Sequence, residues 1–407
     1  MAKKRVSSEE ITWPPPAFHV MVKPNGARCN LACQYCFYLP KDSLYPAGDH
    51  HMGDKVLEKF TRQYMAAQRV PEVTFGWQGG EPVLAGIEFY KKAIACQKKH
   101  AKQGLKVINT FQTNGTLLND EWARFFHDNN FLVGISIDGP PRFHDTFRVD
   151  KNGNATFDKV KQGLDLLKKH GVEHNVLACI NAANADHPLD VYRYLRDDLG
   201  VQYIQFIPVV EKNGEARGQD DRKVTDRSVD GKRFGRFMNA IFDEWVHLDV
   251  GSVFVLNFDS ALAAWLGTPG GFCVNAKTCG NALAIEYNGD VYACDHFVTP
   301  ECKRGNIMDT PLATIVGSLY QRSFGLEKSS GLPGCCKDCN VLFACNGGCP
   351  KDRLLSTPAD EPGLNYLCDG YKAFFTHVDP YMKFMATQVS NEQPAANIMA
   401  YLKNNTL

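Results

Sequence analysis

The chain has 407 residues, 45 Lys plus Arg against 45 Asp plus Glu, and 15 cysteines in a composition that is 44% hydrophobic and 22% charged. Balanced charge leaves no basic surplus to attract nucleic acid or an anionic membrane surface, and the hydrophobic content excludes disorder as the main state. No apolar run of about 18 residues offers a membrane span, and the basic N-terminus has no apolar stretch behind it, so a cytoplasmic protein is expected. In that reducing compartment an odd number of thiols does not read as a disulfide framework, and the cysteines point to metal.

Short β-branched or aromatic runs at 18–23, 73–78, 106–112, 131–138, 174–181 and 203–209 predict six strands. Helical periods at 54–68, 89–103, 120–129, 156–170 and 189–199 fill the five gaps between them. In the fourth period Val160, Leu164 and Leu167 mark an apolar face, and Lys161, Lys168 and Lys169 the opposite one. This alternation predicts βαβ units around a parallel sheet, an α/β partial (β/α)6 TIM-type barrel with a doubly wound sheet as the alternative. Either arrangement puts chemistry at the C-terminal ends of the strands. Residues 211–233 read as a polar linker, and a helical period resumes at 234–248. After Gly267, Gly, Cys and turn residues dominate, as in a domain where metal replaces part of a core. The expected division is an N-terminal extension at 1–17, the barrel at 18–250, a cysteine-rich domain at 251–380 and a helical tail at 381–407.

Directly after the first predicted strand, Cys29, Cys33 and Cys36 have the spacing C-x3-C-x2-C. Soft thiolates favour iron–sulfur or zinc. Three on one short loop can hold three corners of a [4Fe-4S] cube with the fourth iron open. A structural zinc wants four closed ligands, and only His50 and His51 stand near as outsiders. Polar motifs mark the later strand ends. Gln78-Gly79-Gly80-Glu81-Pro82 carries two glycines that permit a tight turn and close backbone approach; Thr113-Asn114-Gly115, Ser136-x-Asp138-Gly139 and His144-Asp145-x-x-Arg148 follow.

On these residues the chain resembles the radical S-adenosylmethionine (SAM) superfamily. The resemblance implies that the three thiolates hold a [4Fe-4S] cluster whose open iron binds SAM, and that an electron splits SAM into methionine and a 5′-deoxyadenosyl radical. It also implies SAM contacts from Gly79, Gly80 and Glu81 at the amino group, Arg148 at the carboxylate and Ser136 at the ribose or carboxylate. Tyr35 and Val210 would flank the adenosyl group, Asn114 would join them from the third strand end, and Tyr38 and Gln78 would wall the SAM or peptide cavity.

The later cysteines read Cys273-x5-Cys279-x9-Gly289-x4-Cys294, then Cys336-x2-Cys339-x5-Cys345-x3-Cys349, then Cys368 after 18 residues. This resembles the SPASM extension of radical SAM enzymes. It implies one auxiliary [4Fe-4S] cluster on Cys273, Cys279, Cys294 and Cys349 and another on Cys336, Cys339, Cys345 and Cys368, three clusters in all. Zinc is the competing reading, because C-x2-C pairs suit zinc ribbons. Cys96, Cys179, Cys302 and Cys335 are left without a role.

Within that superfamily, Cys36-Phe37-Tyr38, the stretches 112–118 and 292–298, and Gly305-Asn306-Ile307 resemble the anaerobic sulfatase-maturating enzymes. The resemblance implies oxidation of a Cys or Ser in a C/S-x-P/A-x-R stretch of an unfolded sulfatase to Cα-formylglycine, with an electron donor such as flavodoxin or ferredoxin. After a hydrogen leaves Cβ, the substrate must lose a proton and an electron, so a base is needed beside an acceptor. Asp295, next to Cys294, is the expected base. The alternatives are another SPASM peptide modifier, forming a thioether or changing a stereocentre, and a zinc-stabilised scaffold with no catalytic role.

Overall fold

The computed structural model describes residues 15, 17–46, 48, 50–213 and 224–405. Its centre is a run of six parallel strands in chain order: β1 (His19–Lys23), β2 (Glu72–Trp77), β3 (Lys106–Thr113), β4 (Phe131–Ser136), β5 (His174–Ile180) and β6 (Tyr203–Pro208). Helices Asp54–Ala67, Ile87–His100, Asp120–Asp128, Phe157–Lys169 and Pro188–Arg193 lie in the crossovers. This is the partial (β/α)6 barrel that the alternation predicts. The helix Phe157–Lys169 buries Val160, Leu164 and Leu167, and Asn119 caps Asp120–Asp128 by accepting from the Trp122 amide at 2.9 Å. The fifth crossover differs from a plain helix, because after Arg193 it widens into a π turn at Tyr194–Asp198.

The sheet does not end with these six. β7 (Phe254–Val255) pairs with β6, and β8 (Ala282–Glu286) pairs in parallel with the free edge of β1, from His19 opposite Ala282 to Lys23 opposite Glu286. β9 (Asp290–Tyr292) and β10 (Lys303–Asn306) follow antiparallel, giving ten strands in the order 10-9-8-1-2-3-4-5-6-7. An uncovered β1 would present a row of unpaired backbone groups, and β8 satisfies them.

The C-terminal region shares its hydrophobic core with the barrel. Leu283, Ile285, Val291, Ile307 and Ile315 belong to the same buried cluster as Val20, Phe75 and Ile135 of the barrel. The expected limit at 250 falls before β7 and the helix Leu256–Trp265, which sit against β6. The limit at 380 falls inside one continuous helix, Cys368–Ser390. Of the expected linker, 214–223 lie outside the described residues; beside them Lys212 bridges Val224, and Glu211 accepts from the Thr225 hydroxyl at 2.7 Å. Most of the N-terminal extension, and residues 406 and 407 of the tail, also lie outside. No helix among the described residues is long and apolar enough to cross a membrane.

The helix Cys368–Ser390 packs along Gly231–Leu248, and glycines set how closely. A Cβ on Gly370 would overlap the Gly231 carbonyl oxygen. Gly370→Ala is expected to cost about 1–3 kcal/mol by overpacking, read as a fall in thermal midpoint; an unchanged midpoint would show that the helices separate freely.

Candidate functional site

The loop carrying Cys29, Cys33 and Cys36 leaves the C-terminal end of β1 and is held on two sides. On one side Ala32 and Gln34 donate their amides to the Val149 and Phe147 carbonyls, both at 2.9 Å. On the other, Gly80 donates to the Gly26 carbonyl at 2.9 Å and Glu81 to the Arg28 carbonyl at 2.8 Å. A side chain at Gly80 would overlap the Arg28 backbone, and Gly79 has φ +146°, so this contact requires both glycines. Asn114 reaches the loop from the end of β3. Its amide donates to the Cys29 sulfur at 3.7 Å and to Asn30 Oδ1 at 2.9 Å. Burial pushes the Cys29 thiol up to about 12 and Cys33 to about 11, so without metal both are protonated at neutral pH.

The Glu81 carboxyl is fully engaged within the protein. Its Oε1 accepts from the Val83 amide at 3.0 Å and the Thr113 hydroxyl at 2.8 Å, and its Oε2 from the Asn114 amide at 2.8 Å. Burial raises this carboxyl to about 7 even so. Ser136, at the end of β4, accepts from the Gln112 amide at 3.1 Å. Val210 is half-buried just past β6, and Gln78 is half-buried just past β2.

Tyr35, Arg148 and the unassigned Cys179 meet around Asp138, to which the sequence pattern gives no role of its own. The Tyr35 hydroxyl donates to Asp138 Oδ2, Arg148 Nε lies 3.0 Å from the same oxygen, and the Cys179 amide donates to Oδ1 at 2.8 Å. Arg148 Nη2 also donates to the Cys179 sulfur at 3.5 Å. A carboxylate with no exposed surface needs such donors. The signal for it was Arg148 ten residues downstream.

Asp295 follows β9 and meets the same loop. Lys23 Nζ, with no exposed surface, lies 2.5 Å from Asp295 Oδ1 and 4.3 Å above the Tyr38 ring. The Tyr38 hydroxyl donates to Glu286, whose other oxygen is buried with no hydrogen-bond partner among the described residues. Burial raises the Glu286 carboxyl to about 7. Tyr38 is thus a buried prop beneath Lys23 rather than an open wall. The rings of Phe37 and His296 meet at a tilt of 48°, centroids 4.6 Å apart, so the chain neighbours of Cys36 and Asp295 are in contact. Neither Lys23 nor Glu286 was legible as a site residue, since a Lys closing a strand reads as solvated. Both nitrogens of His50 are engaged, by Asp42 at 3.0 Å and the Pro46 carbonyl at 2.8 Å, so it is no ligand for the loop.

The later cysteines fall into two groups. Cys273 acts electrostatically on Cys279, Cys294 and Cys349, while Cys368 acts on Cys336 and Cys345 and is itself acted on by Cys339. Cys335 hydrogen-bonds Cys336, and Cys302 accepts the Ala293 amide on its carbonyl. Among the described residues no three Cys, His, Asp or Glu close on one point as the ligands of a single ion would. An iron–sulfur cube places irons and sulfides between its thiolates, so looser groups of soft donors fit it.

A parallel barrel with three cysteines in the loop after its first strand and a cysteine-rich C-terminal region is the architecture of radical SAM enzymes with a SPASM extension. The chain matches the Radical SAM superfamily over residues 26–195 and the SPASM iron-sulfur cluster-binding domain over residues 273–340. It is 50% identical over 400 residues to the serine-type anaerobic sulfatase-maturating enzyme of Bacteroides thetaiotaomicron, covering 96% of each chain. It is 33% identical to the cysteine-type enzyme of Clostridium perfringens (strain 13 / Type A), covering 92% of this chain and 100% of that one. A solved structure described as native anSMEcpe with bound AdoMet and Kp18Cys peptide superposes with a TM-score of 0.81 at 34% identity, over 91% of this chain and 99% of that one. The chain belongs to the anaerobic sulfatase-maturating enzymes of the radical SAM superfamily.

Glu81→Gln puts an amide N–H against one of three donors and is expected to destabilise the fold by about 1–3 kcal/mol. The folded carboxyl titrates near 7 against 4.5 for the free group, so it stabilises below 4.5 and loses that contribution as pH rises through 7. The variant's deficit in denaturant unfolding should therefore be largest near pH 4.5 and shrink toward pH 8. A deficit that grows with pH would contradict this.

Proposed function

We propose that the enzyme oxidises a Cys or Ser in a C/S-x-P/A-x-R stretch of an unfolded sulfatase to Cα-formylglycine, with Asp295 as the proton acceptor. When bound, SAM and the three [4Fe-4S] clusters supply the radical that takes one Cβ hydrogen and the acceptor for one electron. What remains is a proton on sulfur or oxygen, and its removal falls to this chain's own residues; a Ser then gives the aldehyde directly, and a Cys gives a thioaldehyde that water hydrolyses with release of hydrogen sulfide.

The observation that carries the reading is the contact between Asp295 and Lys23 beside Cys36-Phe37-Tyr38. Lys23 fixes the carboxylate in place, and Tyr38, itself held by Glu286, supports the ammonium from below. Asp295 also adjoins Cys294, so the proton and the electron leave toward the same corner of the site. Gly79, Gly80, Ser136, Arg148, Tyr35 and Val210 form the SAM side, with Asn114 and Glu81 bracing the loop. The peptide-bound relative and the two named substrate types of the relatives support a sulfatase peptide as substrate. A low-potential flavodoxin or ferredoxin would supply the initiating electron, and the cytoplasm would supply both partners.

The test is anaerobic incubation of the cluster-loaded protein with SAM, reductant and peptides bearing Cys-x-Pro-x-Arg or Ser-x-Pro-x-Arg. The products should react with a carbonyl-specific hydrazide, and a thioether or an epimer would not. Asp295→Asn should keep its iron and still cleave SAM, while aldehyde yield falls about 10²–10⁴-fold, the usual contribution of a positioned base. Full aldehyde yield from this variant would sink the assignment.

A further inference from the structure

Two cations beside the later cysteines, Lys328 buried and Arg353 half-buried, take no part in the chemistry above. Lys328 lies on the helix Leu319–Ser330 and has almost no exposed surface. Its Nζ donates to the Cys273 and Val274 carbonyls, both at 2.8 Å. The helix is pinned there by Gly325, whose carbonyl accepts the Cys279 amide at 3.0 Å and whose missing side chain admits the Cys279 carbonyl. Arg353 reaches the same place from the other side, donating through Nη2 to the Lys328 carbonyl at 2.6 Å. Its Nε is buried with no hydrogen-bond partner among the described residues.

The sulfurs around these two cations divide between the groups. Lys328 senses Cys273, Cys279 and Cys349, all of the first set. The Arg353 guanidinium lies against Gly347, in the short turn between Cys345 of the second set and Cys349 of the first, and Cys279, Cys349, Cys336 and Cys345 all act on it electrostatically. Other charges nearby are paired or local. Lys351 and Asp352 contact each other at 2.5 Å beside Cys349, and Asp369 and Lys372 flank Cys368. Four thiolates around a cube leave net negative charge, which is costly to bury without a countercharge. A carbonyl needs no ammonium to satisfy it, so hydrogen bonding alone does not explain a buried Lys at this place.

We infer that Lys328 and Arg353 are the built-in countercharges of the auxiliary cysteine sets, Lys328 serving the first and Arg353 standing between the two. This rests on the reading that those sets hold iron–sulfur clusters. A fixed positive charge favours the more reduced form of a nearby cluster, so the two residues raise its reduction potential and suit it to accept an electron. Both are positioning residues, since neither touches substrate.

The test is an anaerobic redox titration of the full-length, cluster-loaded chain, followed by electron paramagnetic resonance, with iron and sulfide counted for each variant. Lys328→Gln keeps a hydrogen-bond donor and removes the charge; the potential of one auxiliary centre should fall, and Lys328→Arg should restore it. Arg353→Gln should lower both auxiliary potentials, and Arg353→Lys should return them toward the wild-type values. Glutamine variants that fail to load a centre while the charge-conserving variants load it support the inference equally. Fully loaded glutamine variants with unchanged potentials would overturn it, as would a loading failure shared by glutamine and charge-conserving variants. Wild-type protein with iron only at Cys29, Cys33 and Cys36 would overturn the cluster reading itself, and the inference with it.

Discussion

Burying the Lys23 ammonium at the end of β1 is unfavourable unless a carboxylate meets it, and the fold brings two from a distant part of the chain. Glu286 arrives as the register partner of Lys23 on β8, and Asp295 follows from the turn after β9. Neither can be in place unless the C-terminal region is docked on the free edge of β1. One strand pairing therefore joins the loop of Cys29, Cys33 and Cys36 to the segment that carries Cys294 and Asp295. Removing either partner would leave an uncompensated buried charge in the seam.

The remaining parts of the site are braced from the barrel side by the same logic. Asp138 gathers Tyr35, Arg148 and the Cys179 amide, and Glu81 ties the ends of β2 and β3 to each other. These buried carboxylates act by accepting from several donors at once, which fixes the loop on which they converge. The glycines at 79 and 80 then let that loop lie directly on the backbone of residues 26–28.

Much of this was legible before any coordinates. The six strands and their crossovers show in periodicity because the strands set buried β-branched or aromatic residues at alternate positions, and the crossovers are long enough to carry a 3.6-residue pattern. The cysteine groups show in spacing because their members lie on a few short loops. The pairing of β8 with β1 did not show, since contacts between positions some 260 residues apart leave no local pattern. For the same reason Lys23 and Glu286 passed as ordinary strand ends, and the pattern gave Asp138 no role of its own. Cys179 looked like a spare thiol, although it lies against Arg148.

The tie between Lys23 and Asp295 is open to a double-mutant cycle on aldehyde formed per 5′-deoxyadenosine released, in loaded proteins of equal iron content. Lys23→Met and Asp295→Asn should each lower this ratio, and the double variant should be no worse than Asp295→Asn alone. Losses that multiply in the double variant would contradict a single unit in which Lys23 acts through Asp295.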